Sequence, residues 1–230
     1  MKNMTKSLIA AAVLAATSTA VMAEVSMNVG ATSNYLFRGI SASADNAAVS
    51  GGIDYSHEVG VYAGMWVSTL DTDLGEELDY YVGYAGEAGG FGYDASLIGI
   101  TYPQLEDSNY VELALSGSYS YFTAGLAATV ASDVKDEKAT AEQFIEEDLY
   151  YYVSAELPLN EEITLGLTAG NYTFADDGVD DAEFDYTHFQ LAVSKGDVTV
   201  AYDATDIDDD PTTDYKEDAG HFTVSWSKSF

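Results

Sequence analysis

The sequence predicts an all-β fold, a transmembrane antiparallel β-barrel of about twelve strands with both termini periplasmic. Three observations predict it. Apolar and polar residues alternate with period two along most of the chain. Short glycine-containing turns and longer acidic loops take turns between the alternating runs. The composition, with 18 Tyr and 20 Gly against 3 Pro, suits pleated sheet.

The first element is an address. Lys2 and Lys6 precede an apolar stretch over 8–16, which runs through Thr17-Ser18-Thr19-Ala20 into Val21-Met22-Ala23. A basic start, a short apolar centre and small residues before a cut make a secretory signal. Residues 1–23 are therefore read as a signal peptide and 24–230 as the barrel. The competing reading, a membrane-spanning helix, needs ~20 apolar residues, and no later stretch approaches that length either.

The strands follow in order at 25–39, 48–57, 61–69, 78–85, 91–100, 110–116, 119–130, 149–156, 162–174, 184–194, 198–202 and 220–230. Val49, Gly51, Ile53 and Tyr55 share one side of their strand, and Ser50, Gly52, Asp54 and Ser56 the other. Leu78, Tyr80 and Val82 likewise oppose Asp79, Tyr81 and Gly83, and Leu165 and Leu167 oppose Gly166 and Thr168. Short connections fall near 58–60, 86–90, 117–118, 157–161 and 195–197. Long ones cover 40–47, 70–77, 101–109, 131–148, 175–183 and 203–219. An even strand number, short turns on one rim and long loops on the other put both termini on the short-turn side. In lipid such a sheet must close, because an open edge strands N–H and C=O groups away from water at several kcal/mol each.

A soluble sandwich or lipocalin-like barrel would also alternate. Three features weigh against it. Aromatics stand near the expected strand ends, where an interfacial girdle needs them: Tyr35, Phe37, Tyr55, Tyr62, Tyr84, Phe91, Tyr93, Tyr110, Tyr119, Tyr172, Phe174 and Trp226. The apolar side faces away from the side carrying Asp54, Asp79, Asp94 and Glu112, whereas a small soluble barrel fills its inside with apolar groups. The chain ends in Phe230 after an alternating run.

The stretch Ser33-Asn34-Tyr35-Leu36-Phe37-Arg38-Gly39-Ile40-Ser41, then Gly51-Gly52-Ile53-Asp54-Tyr55-Ser56, Gly60-Val61-Tyr62-Ala63-Gly64-Met65-Trp66-Val67-Ser68 and Glu77-Leu78-Asp79-Tyr80-Tyr81-Val82-Gly83-Tyr84, resembles the TorF-type porins of Gram-negative bacteria. Ser227-Lys228-Ser229-Phe230 is similar to the carboxy-terminal aromatic signal that outer-membrane proteins present to the assembly machinery, with Lys228 where an apolar residue is usual. The resemblance implies an outer-membrane barrel with a pore-like role. It brings no substrate.

Charge narrows the function further. The formal net charge is −31 with 8 Lys+Arg, which excludes a nucleic-acid binder, while 47% hydrophobic residues exclude a disordered acidic tail. Absence of cysteine removes disulfides and thiol chemistry. Most carboxylates fall in the long loops. Asp71, Asp73, Asp176, Asp177, Asp206, Asp208, Asp209 and Asp210 form an acidic rim that attracts cations; the plainer reading is a solvated surface. The Asp176–Asp181 and Asp206–Asp210 clusters do not follow a calcium-loop spacing, so loose divalent bridging to lipopolysaccharide is the expected use. Arg38, the only arginine, falls on the lumen side with Asp54, Asp79, Asp94 and Glu112 as possible partners, a bridge that narrows the pore or locks its wall. Tyr150, Tyr152 and His188 share that side.

The expectation is thus a passive, cation-preferring channel for small hydrophilic solutes, set among outer-membrane lipids, without cofactor, metal or catalytic residues. A non-conducting structural or adhesive barrel is one alternative. A barrel hydrolase is the other, and it would need a Ser–His pair built on His57, His188 or His221.

Overall fold

The computed structural model describes residues 24–134, 143–175, 185–207 and 220–230. The proposed signal segment 1–23 and the rim residues Asp176, Asp177, Asp208, Asp209 and Asp210 lie outside them. The strands are β1 (Glu24–Thr32), β2 (Leu36–Phe37), β3 (Ile40–Ser41), β4 (Ala48–Ser56), β5 (Val61–Thr69), β6 (Glu76–Ala88), β7 (Phe91–Thr101), β8 (Tyr110–Tyr119), β9 (Phe122–Ser132), β10 (Leu149–Pro158), β11 (Ile163–Thr173), β12 (Tyr186–Lys195), β13 (Val198–Thr205) and β14 (His221–Ser229). No helix occurs among the described residues.

All strands except β2 and β3 form one closed antiparallel barrel of twelve, each paired with its sequence neighbour and β14 returning to β1. The seam runs from Asn28 opposite Ser229 to Thr32 opposite Ser225. Beyond it, Phe230 N–H donates to Met27 O at 2.9 Å. Closure leaves no open edge, which is what hydrocarbon requires of a sheet. Lys228, the unusual residue near the end, pairs with Asp197 of a short turn at 2.8 Å.

The alternation sorts as chemistry demands of a barrel in lipid. Val25, Met27, Val49, Ile53, Val82, Leu97, Val153, Leu191 and Val224 stand exposed on the outer face. Inside, the wall of β11 to β14 carries Thr164, Gly166, Thr168, Ser194, Thr199 and Ser225, small groups that leave room. A register step between Val111 and Glu112 in the pairing of β8 with β9 leaves Val130 as an extra residue. Such a bulge bends the wall and re-aims nearby side chains.

Only part of the expected girdle faces out. Tyr55, Tyr84, Phe91, Tyr93, Tyr119 and Trp226 are exposed. Tyr35, Tyr110, Tyr172 and Phe174 are buried within the barrel, Phe37 packs against the cluster of Tyr172 and Phe174, and Tyr62 turns to Asp94. The first strand also ends earlier than expected, at Thr32 rather than 39.

Candidate functional site

β1 leaves the wall where its sequence turns to Ser33-Asn34, residues that favour turns. Ser33 N–H donates to Val224 O at 2.9 Å, and Thr32 Oγ1 donates to Asn34 O at 2.8 Å. The chain then heads inward as the small hairpin β2–β3, pairing Leu36 with Ser41 and Phe37 with Ile40. Arg38 and Gly39 make its turn, with φ of 51° and 93°, the paired positive values of a tight two-residue hairpin turn. A Cβ at position 39 would stand 2.7 Å from His188 Cβ. Glycine alone lets the tip press against β12.

The base of the hairpin is fixed by a local network. Asn34 Nδ2 donates to Asp45 Oδ1 at 2.6 Å, Ser41 Oγ to Asn34 Oδ1 at 2.7 Å, and Ala42 N–H to Tyr35 O at 2.8 Å. Tyr35 and Tyr102 both donate to Glu77, at 2.7 and 3.1 Å. Burial, reinforced by the Glu77 carboxylate, pushes both phenols well above their ordinary range, so they remain donors.

The tip is held differently. Arg38 Nη1 and Nη2 donate to Glu112 Oε1 and Oε2 at 2.8 and 2.5 Å, a two-pronged pair. The guanidinium carbon lies 4.5 Å from the Phe37 ring centre, 4.4 Å from that of Tyr150 and 4.9 Å from that of Tyr172. The Arg38 side chain is 10% exposed and that of Glu112 3%, so the pair is withdrawn from solvent. Burial opposes the charge on Arg38, but the Glu112 carboxylate overrides it and holds the group protonated, above its ordinary value.

An aromatic cluster surrounds this pair. Tyr150, Tyr172, Phe174 and Tyr186 are buried together, with Phe37, Ile40, Phe144, Tyr152 and Ile207 packed against them. Tyr172 stacks on Phe174 at 4.3 Å, Phe144 on Tyr110 at 4.7 Å and Tyr150 on Tyr152 at 5.7 Å. The Tyr150 hydroxyl and His188 Nε2 are hydrogen-bonded at 2.8 Å. The Tyr172 hydroxyl, His188 Nδ1 and Asp79 Oδ1 have no hydrogen-bond partner among the described residues.

Toward the short-turn rim the inner face is more open and still acidic. Asp54 accepts from Tyr81 and, at 3.4 Å, from Asn28. Asp94 accepts from Tyr62 at 2.9 Å. The two tyrosines lie across the glycines paired with them: a Cβ at Gly64 would collide with the Tyr81 ring, and one at Gly83 with Tyr62.

The side chains of Arg38, Asp54, Asp79, Asp94, Glu112, Tyr150, Tyr152 and His188 therefore all lie on the inner side of the barrel. Arg38 reaches it on the hairpin rather than on a wall strand, and of the four carboxylates considered as its partner it meets Glu112. Asp54 and Asp94 instead bind tyrosines in the other half. On the rim, Asp73 and Asp206 are exposed and Asp71 is half-buried. The sequence reading missed Glu77, Tyr110, Phe144, Tyr172 and Asp203 as inner groups. Asp203 is buried and accepts from Gln190 at 2.8 Å. Extending the period of Asp79 back to Glu77, that of Glu112 back to Tyr110 and that of Gly170 on to Tyr172 finds three of them.

A closed cylinder of twelve antiparallel strands, apolar without and polar within, has the architecture of outer-membrane porins. Among solved structures, the KdgM porin superposes with a TM-score of 0.54 at 8% identity, over 89% of this chain and 99% of that one. The NanC porin (TM-score 0.49, 11% identity, 89% and 98% covered) and an outer membrane channel from Pseudomonas putida F1 (TM-score 0.49, 12% identity, 93% and 97% covered) resemble it more loosely. At these identities the likeness speaks for the fold alone. Over residues 15–230 the chain matches, and belongs to, the family described as "Bacterial protein of unknown function (Gcw_chp)". No curated protein matches it.

Proposed function

We propose that the chain is an outer-membrane porin of the TorF type, a narrow passive channel for small hydrophilic solutes that prefers cations. Residues 1–23 direct export, residues 24–230 form the barrel, and Phe230 presents the terminal signal to the assembly machinery. The acidic loops meet lipopolysaccharide, partly through divalent ions, and set the potential at the mouth. No cofactor takes part.

The observation that supports this best is the placement of charge. Asp54, Asp79, Asp94, Glu112 and Asp203 all sit on the inner face, while the outer face is apolar. Carboxylates turned inward make sense where the inside is a path for water and ions. The non-conducting alternative draws support from the hairpin and the aromatic cluster that lie across the lumen. A hydrolase has less: His57 Nδ1 accepts from the Val59 amide, His188 bonds Tyr150 and His221 faces Asp45 at 3.1 Å, and among the described residues none of the three pairs with a serine.

Single-channel recording in planar bilayers under a KCl gradient tests the proposal. Discrete conductance with a reversal potential of cationic sign is expected. Silent membranes with correctly folded protein would favour the structural barrel, and a reversal potential of anionic sign would refute the electrostatic reading.

A further inference from the structure

We infer that the cage occupied by Arg38 is a receptor for small guanidinium-bearing solutes, which cross the barrel by taking the place of Arg38 on Glu112. This rests on the channel reading above and names its substrate class.

The chain supplies its own stand-in for the ligand. A planar cation is gripped two-pronged by Glu112 at 2.8 and 2.5 Å and covered by three rings with centres 4.4 to 4.9 Å from its carbon. That combination selects a guanidinium over an ammonium. The fork matches both carboxylate oxygens, the flat face stacks on rings, and its weak hydration lowers the cost of entering a dry site. Alkali ions lack the shape and hold their water. Anions meet the Glu112 carboxylate itself.

The mounting of Arg38 fits displacement. The base of the hairpin is secured by the Asn34, Ser41 and Tyr35 contacts, whereas beyond residue 35 the tip has no side-chain hydrogen bond but the Arg38–Glu112 pair among the described residues and is otherwise held by the β2–β3 pairing and the packing of Phe37 and Ile40 on the aromatic cluster. Swinging the Arg38 side chain off Glu112 removes the tip's charged anchor, while the base contacts and the Phe37 ring can stay in place. The cage also has unused capacity. Glu112 engages two of the five N–H donors of a guanidinium, and the hydroxyl of Tyr172, one of the caging rings, lacks a hydrogen-bond partner among the described residues. Because Arg38 is tethered, its effective concentration is of millimolar order, so a free competitor acts in that range. The acidic loops above raise the local concentration of any cation.

The test compares three solutes of similar size in liposome-swelling assays with the reconstituted protein: methylguanidinium, methylammonium and neutral methylurea. Methylguanidinium is expected to enter about fivefold faster than methylammonium, the worth of one partly desolvated cation–ring contact. The neutral pair Arg38→Gln with Glu112→Gln should erase that preference while solutes still enter. Entry of all three at equal rates in the wild type would overturn the inference and leave the channel reading standing. Entry of none would overturn both. Near-ultraviolet circular dichroism of the wild type, which reports the caging tyrosines, gives a second readout independent of any variant. A saturable change at millimolar methylguanidinium, absent with methylammonium, is expected, and no difference between the two would refute the receptor.

Discussion

Removing one partner of the Arg38–Glu112 pair leaves a charge in a site that is nearly closed to water. Breaking a buried pair costs about 3–5 kcal/mol, whereas replacing both members costs far less. Arg38→Met should therefore lower the stability of the folded barrel by about that amount, and the double replacement Arg38→Met with Glu112→Gln should recover most of it. Urea unfolding in lipid vesicles, followed by tyrosine and tryptophan fluorescence, checks both. Equal losses in the single and double variants would mean that the pair does not clamp the hairpin. Sequence reading reached Arg38 because it is the only arginine in a strongly acidic chain. Choosing Glu112 from four carboxylates required the fold, since the choice depends on how far an inward hairpin carries the side chain.

That hairpin was hidden from the sequence because alternation continues through it. Tyr35 and Phe37 keep the odd-numbered apolar phase of Val25, Met27 and Val29, so 25–39 reads as one strand. The chain nonetheless turns inward at Ser33-Asn34, where side-chain hydrogen bonds offer the backbone an alternative to the ladder. The girdle misreading has the opposite origin. Tyr62, Tyr110 and Tyr172 share the even phase of Gly64, Glu112 and Gly170, which points inside; position near a strand end suggests a girdle, but phase decides the face. Period two alone places them correctly, while the long-range stacking that gathers Tyr110, Phe144 and Tyr172 has no signature in the sequence. The hairpin also suggests a clean deletion. Ala42 N–H already donates to Tyr35 O at 2.8 Å, so removing 36–41 and joining Tyr35 to Ala42 closes only the short separation of a hydrogen-bonded pair. The shortened protein should keep its barrel, seen as heat-modifiable migration on gels, and its single-channel conductance should rise several-fold. Unchanged conductance would show that the hairpin does not set the narrowest point.

Across the whole molecule, charge is distributed on two levels that salt can separate. One is the loop rim, where Asp73 and Asp206 are exposed to solvent. The other is the inner wall, where Asp54 and Asp94 are held by Tyr81, Asn28 and Tyr62. The Debye length falls from about 8 Å at physiological salt to about 3 Å at 1 M, so the field of the rim collapses first, while an ion inside the bore passes the wall carboxylates at closer range. Cation preference, read as the reversal potential under a fixed gradient, should therefore weaken as both baths are raised toward molar KCl and then level off above zero. Asp54→Asn with Asp94→Asn should lower the residual high-salt selectivity and leave most of the low-salt selectivity in place. Selectivity unchanged in this variant at every salt concentration would place the selecting charge on the rim alone. A preference that did not change with salt at all would place it entirely within the wall.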